Sequence, residues 1–122
     1  MDLKILGVYD ANTDNERLTL SVVNDCNVSN YIVMDTTYDD EREEKNVWRH
    51  ALTLPDLEVK KGDQVKIYTR KGTNRSVLSN SGKCFIHFVY WGLNAHIWNK
   101  DGDIAYLFEI SNCENKTINE NN

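Results

Sequence analysis

The sequence predicts an all-β protein, an antiparallel β-sandwich of about seven to nine short strands. Several segments alternate apolar and polar residues with period two. Clusters of Asn, Asp, Gly and Ser separate those segments at short intervals. No window of a dozen residues carries a helical hydrophobic period, although Asp39 to Arg49 has helix-tolerant composition.

Taken in order, Leu3 to Tyr9 is a short apolar run closed by the turn residues Asp10 to Asn15. In the next strand Leu18, Leu20 and Val22 share one face, and Arg17, Thr19 and Ser21 the other. The segment Asn24-Asp25-Cys26-Asn27 reads as a turn, and Tyr31 to Asp35 as a further short strand. Lys61-Gly62-Asp63 leads into Gln64 to Thr69, where Val65 and Ile67 point inward and Lys66 and Tyr68 outward. Phe85 to Trp91 is rich in aromatic and β-branched residues, as a central strand should be. Lys100 to Asp103 carries the Asp-Gly pair of a tight hairpin, and Ile104 to Ile110 is the last apolar run. The expected core contains Leu18, Leu20, Val22, Val65, Ile67, Trp98 and Leu107.

At 122 residues the chain is read as one domain over 1–112, followed by a polar tail over 113–122. Hydrophobic residues make up 40% and charged residues 27%, which excludes wholesale disorder. No apolar run is long enough to span a bilayer, and the N-terminal residues do not read as a signal peptide. A cytoplasmic protein with Cys26, Cys84 and Cys113 as reduced thiols is therefore expected, with no membrane partner.

The second half of the chain carries a recognisable series. Leu54-Pro55, Val59 to Gly62 and Val65 to Tyr68 are followed by Tyr90-Trp91-Gly92, Ile97-Trp98-Asn99, Asp101-Gly102-Asp103 and Ala105 to Leu107. This order resembles the lamin tail domain. Val22-Val23-Asn24 and Ser29 to Asp35 match its first half more loosely, so the resemblance covers roughly residues 3 to 111. Tyr31 stands where the family usually has Trp, and Leu54 where it has an aromatic residue. Ser111-Asn112 replaces a common Gly, and there is neither a heptad rod nor a prenylation box. The resemblance implies an immunoglobulin-like sandwich of stand-alone bacterial type, serving as a binding or adaptor module. It brings no catalytic motif.

Signals for chemistry are few. Asn99, Asp101 and Asp103 alternate as calcium ligands would, but the Gly and the later acid of such a loop are misplaced. Cys84 and His87 are too isolated for a zinc site, and His50 and His96 have no evident partner. Nucleophile and phosphate-loop motifs are lacking, so neither an enzyme nor a cofactor is expected. Asn27-Val28-Ser29, Asn74-Arg75-Ser76 and Asn115-Lys116-Thr117 match the glycosylation pattern about as often as this composition supplies by chance.

Charge carries the functional expectation. The net charge is −5, yet residues 1–58 hold five basic and thirteen acidic residues, and residues 59–122 hold nine basic and six acidic. The acidic peak is Asp39, Asp40, Glu41, Glu43 and Glu44. The basic pole supplies the candidate interaction residues Lys60, Lys61, Lys66, Tyr68, Arg70, Lys71 and Arg75. The expected function is a non-enzymatic module that binds another protein. Binding of nucleic acid or another polyanion through residues 60–83 is the first alternative, disfavoured by the overall negative charge. A carbohydrate-binding sandwich using Trp48 and Tyr38 is the second.

Overall fold

The alternation in the sequence becomes a division between two faces. Leu18, Leu20, Val22, Val65 and Ile67 are all buried, while Arg17, Ser21, Lys66 and Tyr68 keep contact with solvent. The computed structural model describes residues 1–38, 44–98 and 103–119, with backbone alone for 36–38 and 44–49. The acidic run from Asp39 to Glu43, residues 99–102, on which most of the expected Lys100–Asp103 turn falls, and the side chains of Tyr38, Glu44 and Trp48 lie outside the described residues.

The strands are β1 (Leu3–Tyr9), β2 (Arg17–Val22), β3 (Cys26–Asn27), β4 (Tyr31–Tyr38), β5 (Glu44–Thr53), β6 (Glu58–Val59), β7 (Gln64–Tyr68), β8 (Arg75–Leu78), β9 (Phe85–Tyr90) and β10 (Ala105–Glu109). A 3-10 turn, Val28–Asn30, is capped by the Asn27 side chain accepting from the Ser29 N–H. A five-stranded sheet of order β1-β2-β7-β9-β8 packs against a three-stranded sheet of order β10-β4-β5, and β3 pairs with β6 beside them. The expected all-β sandwich is present. Two of the ten strands among the described residues are two-residue bridges, and residues 44–49, the described part of the helix-tolerant stretch Asp39 to Arg49, lie in β5, which pairs with β4. No helix among the described residues is long and apolar enough to cross a membrane.

Two details of connectivity depart from the sequence reading. The sandwich is not wholly antiparallel: β7 and β9 run parallel, with Lys66 opposite Phe88 and Tyr68 opposite Tyr90. Such a pair needs a long crossover. Residues 69–84 supply it, carrying β8 to the outer side of β9, where the two pair antiparallel. The second departure concerns β9 and β10. They lie in different sheets and do not pair with each other.

The core joins Leu18, Leu20, Val65, Ile67 and Val89 of one sheet to Tyr31 and Val33 of the other, with Ile97 and Trp98 entering from the β9–β10 link. Leu107 is only half-buried, at the margin of this cluster. The link is held by Glu16, whose fully buried carboxylate accepts from the Asn12 N–H at 2.8 Å and the Ile97 N–H at 2.9 Å. Across the sandwich, the Tyr31 hydroxyl accepts from the Asp2 N–H at 3.0 Å and donates to Glu109 at 2.7 Å. The three cysteines are free thiols. Burial, then the charges of Asp2, Glu58, Asp25 and Glu109, push the Cys26 thiol up, away from reactive thiolate character.

Two expectations follow. Ile67→Ala removes a fully buried side chain from the centre of the five-stranded sheet. It should cost about 2–5 kcal/mol, read from urea unfolding, and a loss near zero would contradict the core assignment. Burial, with the Glu109 carboxylate on its hydroxyl, pushes the Tyr31 phenol up to about 12, against the pull of the Asp2 N–H. A raised phenol contributes stability below its unfolded value of 10.0 and loses it as pH rises through about 12. Spectrophotometric titration should show one of the six tyrosines ionising last, together with unfolding.

Candidate functional site

Register on the five-stranded sheet aligns its outward side chains in three rows. The first runs Tyr9–Arg17–Tyr68–Tyr90 across β1, β2, β7 and β9. The second runs Gly7–Thr19–Lys66–Phe88–Arg75 and reaches β8. The third is Lys4–Ser21–Gln64–Ile86–Val77. None of these residues is acidic. Four cations and a band of aromatic and aliphatic groups therefore share one surface.

Within that surface the rings and cations interleave. Tyr68 stacks beside Tyr90 with centroids 5.3 Å apart, and beside Phe88 at 6.2 Å. The Arg17 guanidinium lies 5.5 Å from the Tyr9 centroid and 5.8 Å from that of Tyr68. Arg70, just past the end of β7, lies 5.3 Å from Tyr68 and 5.2 Å from Tyr90, and Arg75 sits 4.4 Å over Phe88. Arg75 also donates to the Tyr90 hydroxyl at 3.3 Å. Each such cation–π contact contributes about 0.5–1 kcal/mol at a solvent-exposed site and holds the guanidinium in place.

Of the residues expected from sequence, Lys66, Tyr68, Arg70 and Arg75 gather on this face. Lys60 and Lys61 do not join them. They sit in the β6–β7 turn, where Asp25 accepts from the Lys61 N–H at 2.8 Å and lies 3.7 Å from the Lys60 ammonium. Lys71 is exposed in the β7–β8 loop, its carbonyl accepting from Arg70 at 3.4 Å. Sequence reasoning missed Tyr9, Arg17, Phe88 and Tyr90. Phe88 and Tyr90 alternate visibly within β9, but their pairing with β7 has no local signal.

A recess of about 140 Å³ opens on the same face, lined by Leu6, Tyr9, Arg17, Thr19, Gln64 and Lys66. Thr19 is only 4% exposed, and its hydroxyl has no hydrogen-bond partner; the Arg17 Nε is likewise unpaired. Arg17 otherwise donates through one terminal nitrogen to Asp10 at 2.7 Å and to the Asn15 carbonyl at 3.1 Å. Both unpaired atoms are shielded from solvent behind the recess, whose lining contains Lys66 and no carboxylate.

A second polar cluster lies on the inner side of β9. Asp63 is 4% exposed and His87 5%. Asp63 Oδ1 accepts from the Phe85 N–H at 2.9 Å, while Oδ2 accepts from the Lys60 N–H at 3.0 Å and lies 2.9 Å from His87 Nε2. Burial alone would raise the Asp63 carboxyl; the hydrogen bonds from His87, Phe85 and Lys60 outweigh it and hold the group below its ordinary value. The other ring nitrogen, Nδ1, is 2.6 Å from the Ser76 hydroxyl. His50 is paired with the buried Asp35 at 3.1 Å, and His96 approaches Asp14 at 3.8 Å, so the histidines have partners that sequence alone did not reveal. No group of three or more His, Cys, Asp or Glu among the described residues is placed to hold a metal ion.

Comparison with known proteins returns no match: no family model, curated protein or solved structure matches the chain.

The aromatic row depends on one glycine. A Cβ at Gly72 would stand 2.3 Å from the Tyr90 ring, so only glycine lets the β7–β8 loop lie against it. Gly72→Ala should destabilise the protein by about 1–3 kcal/mol, by the overpacking rule, and shift the ring signals of Tyr90 and Tyr68 in NMR spectra. Unchanged melting and unchanged tyrosine shifts would contradict this packing.

Proposed function

We propose that this protein is a binding module that docks an acidic protein surface on the outer face of its five-stranded sheet. The observation carrying this reading is the acid-free set of rows, in which Lys4, Arg17, Lys66 and Arg75 are spaced among Tyr9, Tyr68, Phe88 and Tyr90. Tyr and Arg are the side chains in which protein interfaces concentrate their binding energy. Leu6, Tyr9 and Val77 leave apolar surface exposed at the margins of the face. The guanidinium groups are already fixed by ring contacts, so little side-chain freedom is lost on docking. The resemblance to the lamin tail domain, whose members serve as binding modules, supports the same reading.

Nucleic acid is the second reading, because exposed rings interleaved with cations also suit single strands. Geometry favours protein. Tyr68 stacks against Tyr90 and is flanked by Arg17 and Arg70, so its faces are occupied and a base would have to displace them.

The test is binding to an immobilised glutamate-rich peptide, followed by surface plasmon resonance at increasing salt. Association should slow as salt rises, and the double reversal Lys66→Glu, Arg70→Glu should slow association more than it speeds dissociation. Submicromolar binding to DNA at physiological salt, abolished by the same reversal, would transfer the reading to nucleic acid. Binding to neither probe would refute both.

A further inference from the structure

We propose that Ser76 is an activated nucleophile that accepts acyl groups from small esters, with His87 as its base and Asp63 as the positioning residue. The inference is independent of the outer face, because Ser76 and His87 are cross-strand partners on the other side of β8 and β9.

Hydrogen-bond accounting assigns the protons. Asp63 is an ionised carboxylate, already accepting from two backbone N–H groups, and a carboxylate can only accept. The hydrogen between it and His87 therefore belongs to Nε2. In the neutral ring that leaves Nδ1 unprotonated, so Nδ1 accepts from the Ser76 hydroxyl at 2.6 Å. The hydroxyl proton points into the protein and the oxygen lone pairs point away from the imidazole. This is the order of groups that nucleophilic catalysis by serine requires: hydroxyl, base, then a buried acid that fixes the tautomer of the base. The ring nitrogens are used in the opposite sense to the best-known serine hydrolases, which changes the approach direction but not the proton path.

Access is provided as well. Ser76 lies on an exposed edge strand and lines an open groove of about 220 Å³ with Pro55, Asp56, Leu57, Asn74, Arg75, Phe88 and Val89. Pro55, Leu57, Phe88 and Val89 give a short acyl chain apolar contact between the charges of Asp56 and Arg75. Asn74 Oδ1 accepts from the Tyr90 N–H at 2.8 Å, which leaves its amide N–H groups available as donors in the groove. In the step, Ser76 Oγ bonds to the ester carbonyl carbon as its proton passes to His87 Nδ1. The tetrahedral adduct collapses by breaking the carbon–oxygen bond, and the departing alcohol carries that proton away. Water then attacks acyl-Ser76 by the same route, releasing the carboxylic acid and restoring the hydroxyl. No oxidant or further reactant is needed.

The test treats the whole chain with p-nitrophenyl acetate and with a fluorophosphonate, followed by peptide mass mapping. Ser81, exposed in the β8–β9 loop, and the half-buried Ser79 beside it serve as internal references. Ser76 should be modified on the order of 10²-fold faster than either, the scale of general-base assistance. The preference should vanish in urea, where a merely exposed serine would keep its rate. Ser76→Ala should abolish release of p-nitrophenol above background. His87→Gln, which can still bridge Ser76 and Asp63, should lose the preference while melting as a folded protein. Equal labelling of Ser76, Ser79 and Ser81 in the native protein would overturn the proposal, and so would undiminished labelling in a folded His87→Gln variant. If that variant does not fold, the native-against-urea comparison decides alone.

Discussion

The arrangement of the five-stranded sheet depends on one buried carboxylate. Asp63 ends the β6–β7 turn, where its N–H donates to the Lys60 carbonyl and its own carbonyl accepts from Val22 of β2. Its side chain reaches the first residue of β9 through the Phe85 N–H and the third through His87. One residue thus fixes β2, the turn and β9 relative to one another. The cost of burying its charge is offset by three charge-assisted hydrogen bonds, each contributing about 1.5–3 kcal/mol. That anchor fixes the start of β9 beside β7, and the Trp91 N–H to Tyr68 carbonyl bond at 2.7 Å and the Leu93 N–H to Thr69 carbonyl bond at 2.8 Å fix its end, since the two strands share no turn. The rows of the outer face exist only because that parallel pairing has this register.

The same constraint separates two kinds of chemistry by a single strand's thickness. Alternate residues of β9 serve opposite sides: Phe88 and Tyr90 hold the cations of the outer face, while His87 and Val89 face inward. Strand β8 repeats the division, with Arg75 over Phe88 and Ser76 against His87. A one-residue slip of β8 would exchange these roles, putting a guanidinium against a buried imidazole. The Tyr90 N–H bond to Asn74 and the close approach of Gly72 to the Tyr90 ring fix the loop before β8 and so guard that register.

Period-two patterns made β2 and β7 legible, because the inward residues of each are fully buried and the outward ones keep contact with solvent, except Thr19, which the sequence placed on the polar face and which is buried. Trp98 was legible as a core anchor from size alone, and Gly62 as a turn residue, with φ of 95°. Strand β8 was not. Its four residues are all exposed, so burial imposes no pattern on them. β5 was also hidden, since its pairing with β4 is interrupted by register shifts near Thr36. For the candidate site, the sequence placed Lys66, Tyr68 and Arg70 together because two-residue spacing is local information. It could not bring Tyr9, Arg17 and Tyr90 to the same row, nor Asp63, Ser76 and His87 to one chain of hydrogen bonds. Those groupings are properties of cross-strand register, and no short stretch of sequence encodes them.

The crossover through β8 has a temporal counterpart. In space β9 lies between β7 and β8, but in the chain it comes after both. Among the described residues β8 pairs with β9 alone, so residues 75–78 have nothing to pair with until residues 85–90 have been added to the chain. A growing chain therefore carries Arg75 to Leu78 as an unpaired segment while β1, β2 and β7 already assemble. Closing the 69–84 loop around an inserted strand is a non-local event, of the kind that slows folding. The β8–β9 hairpin is the last part of this sheet in chain order, and it carries both Arg75 and Ser76.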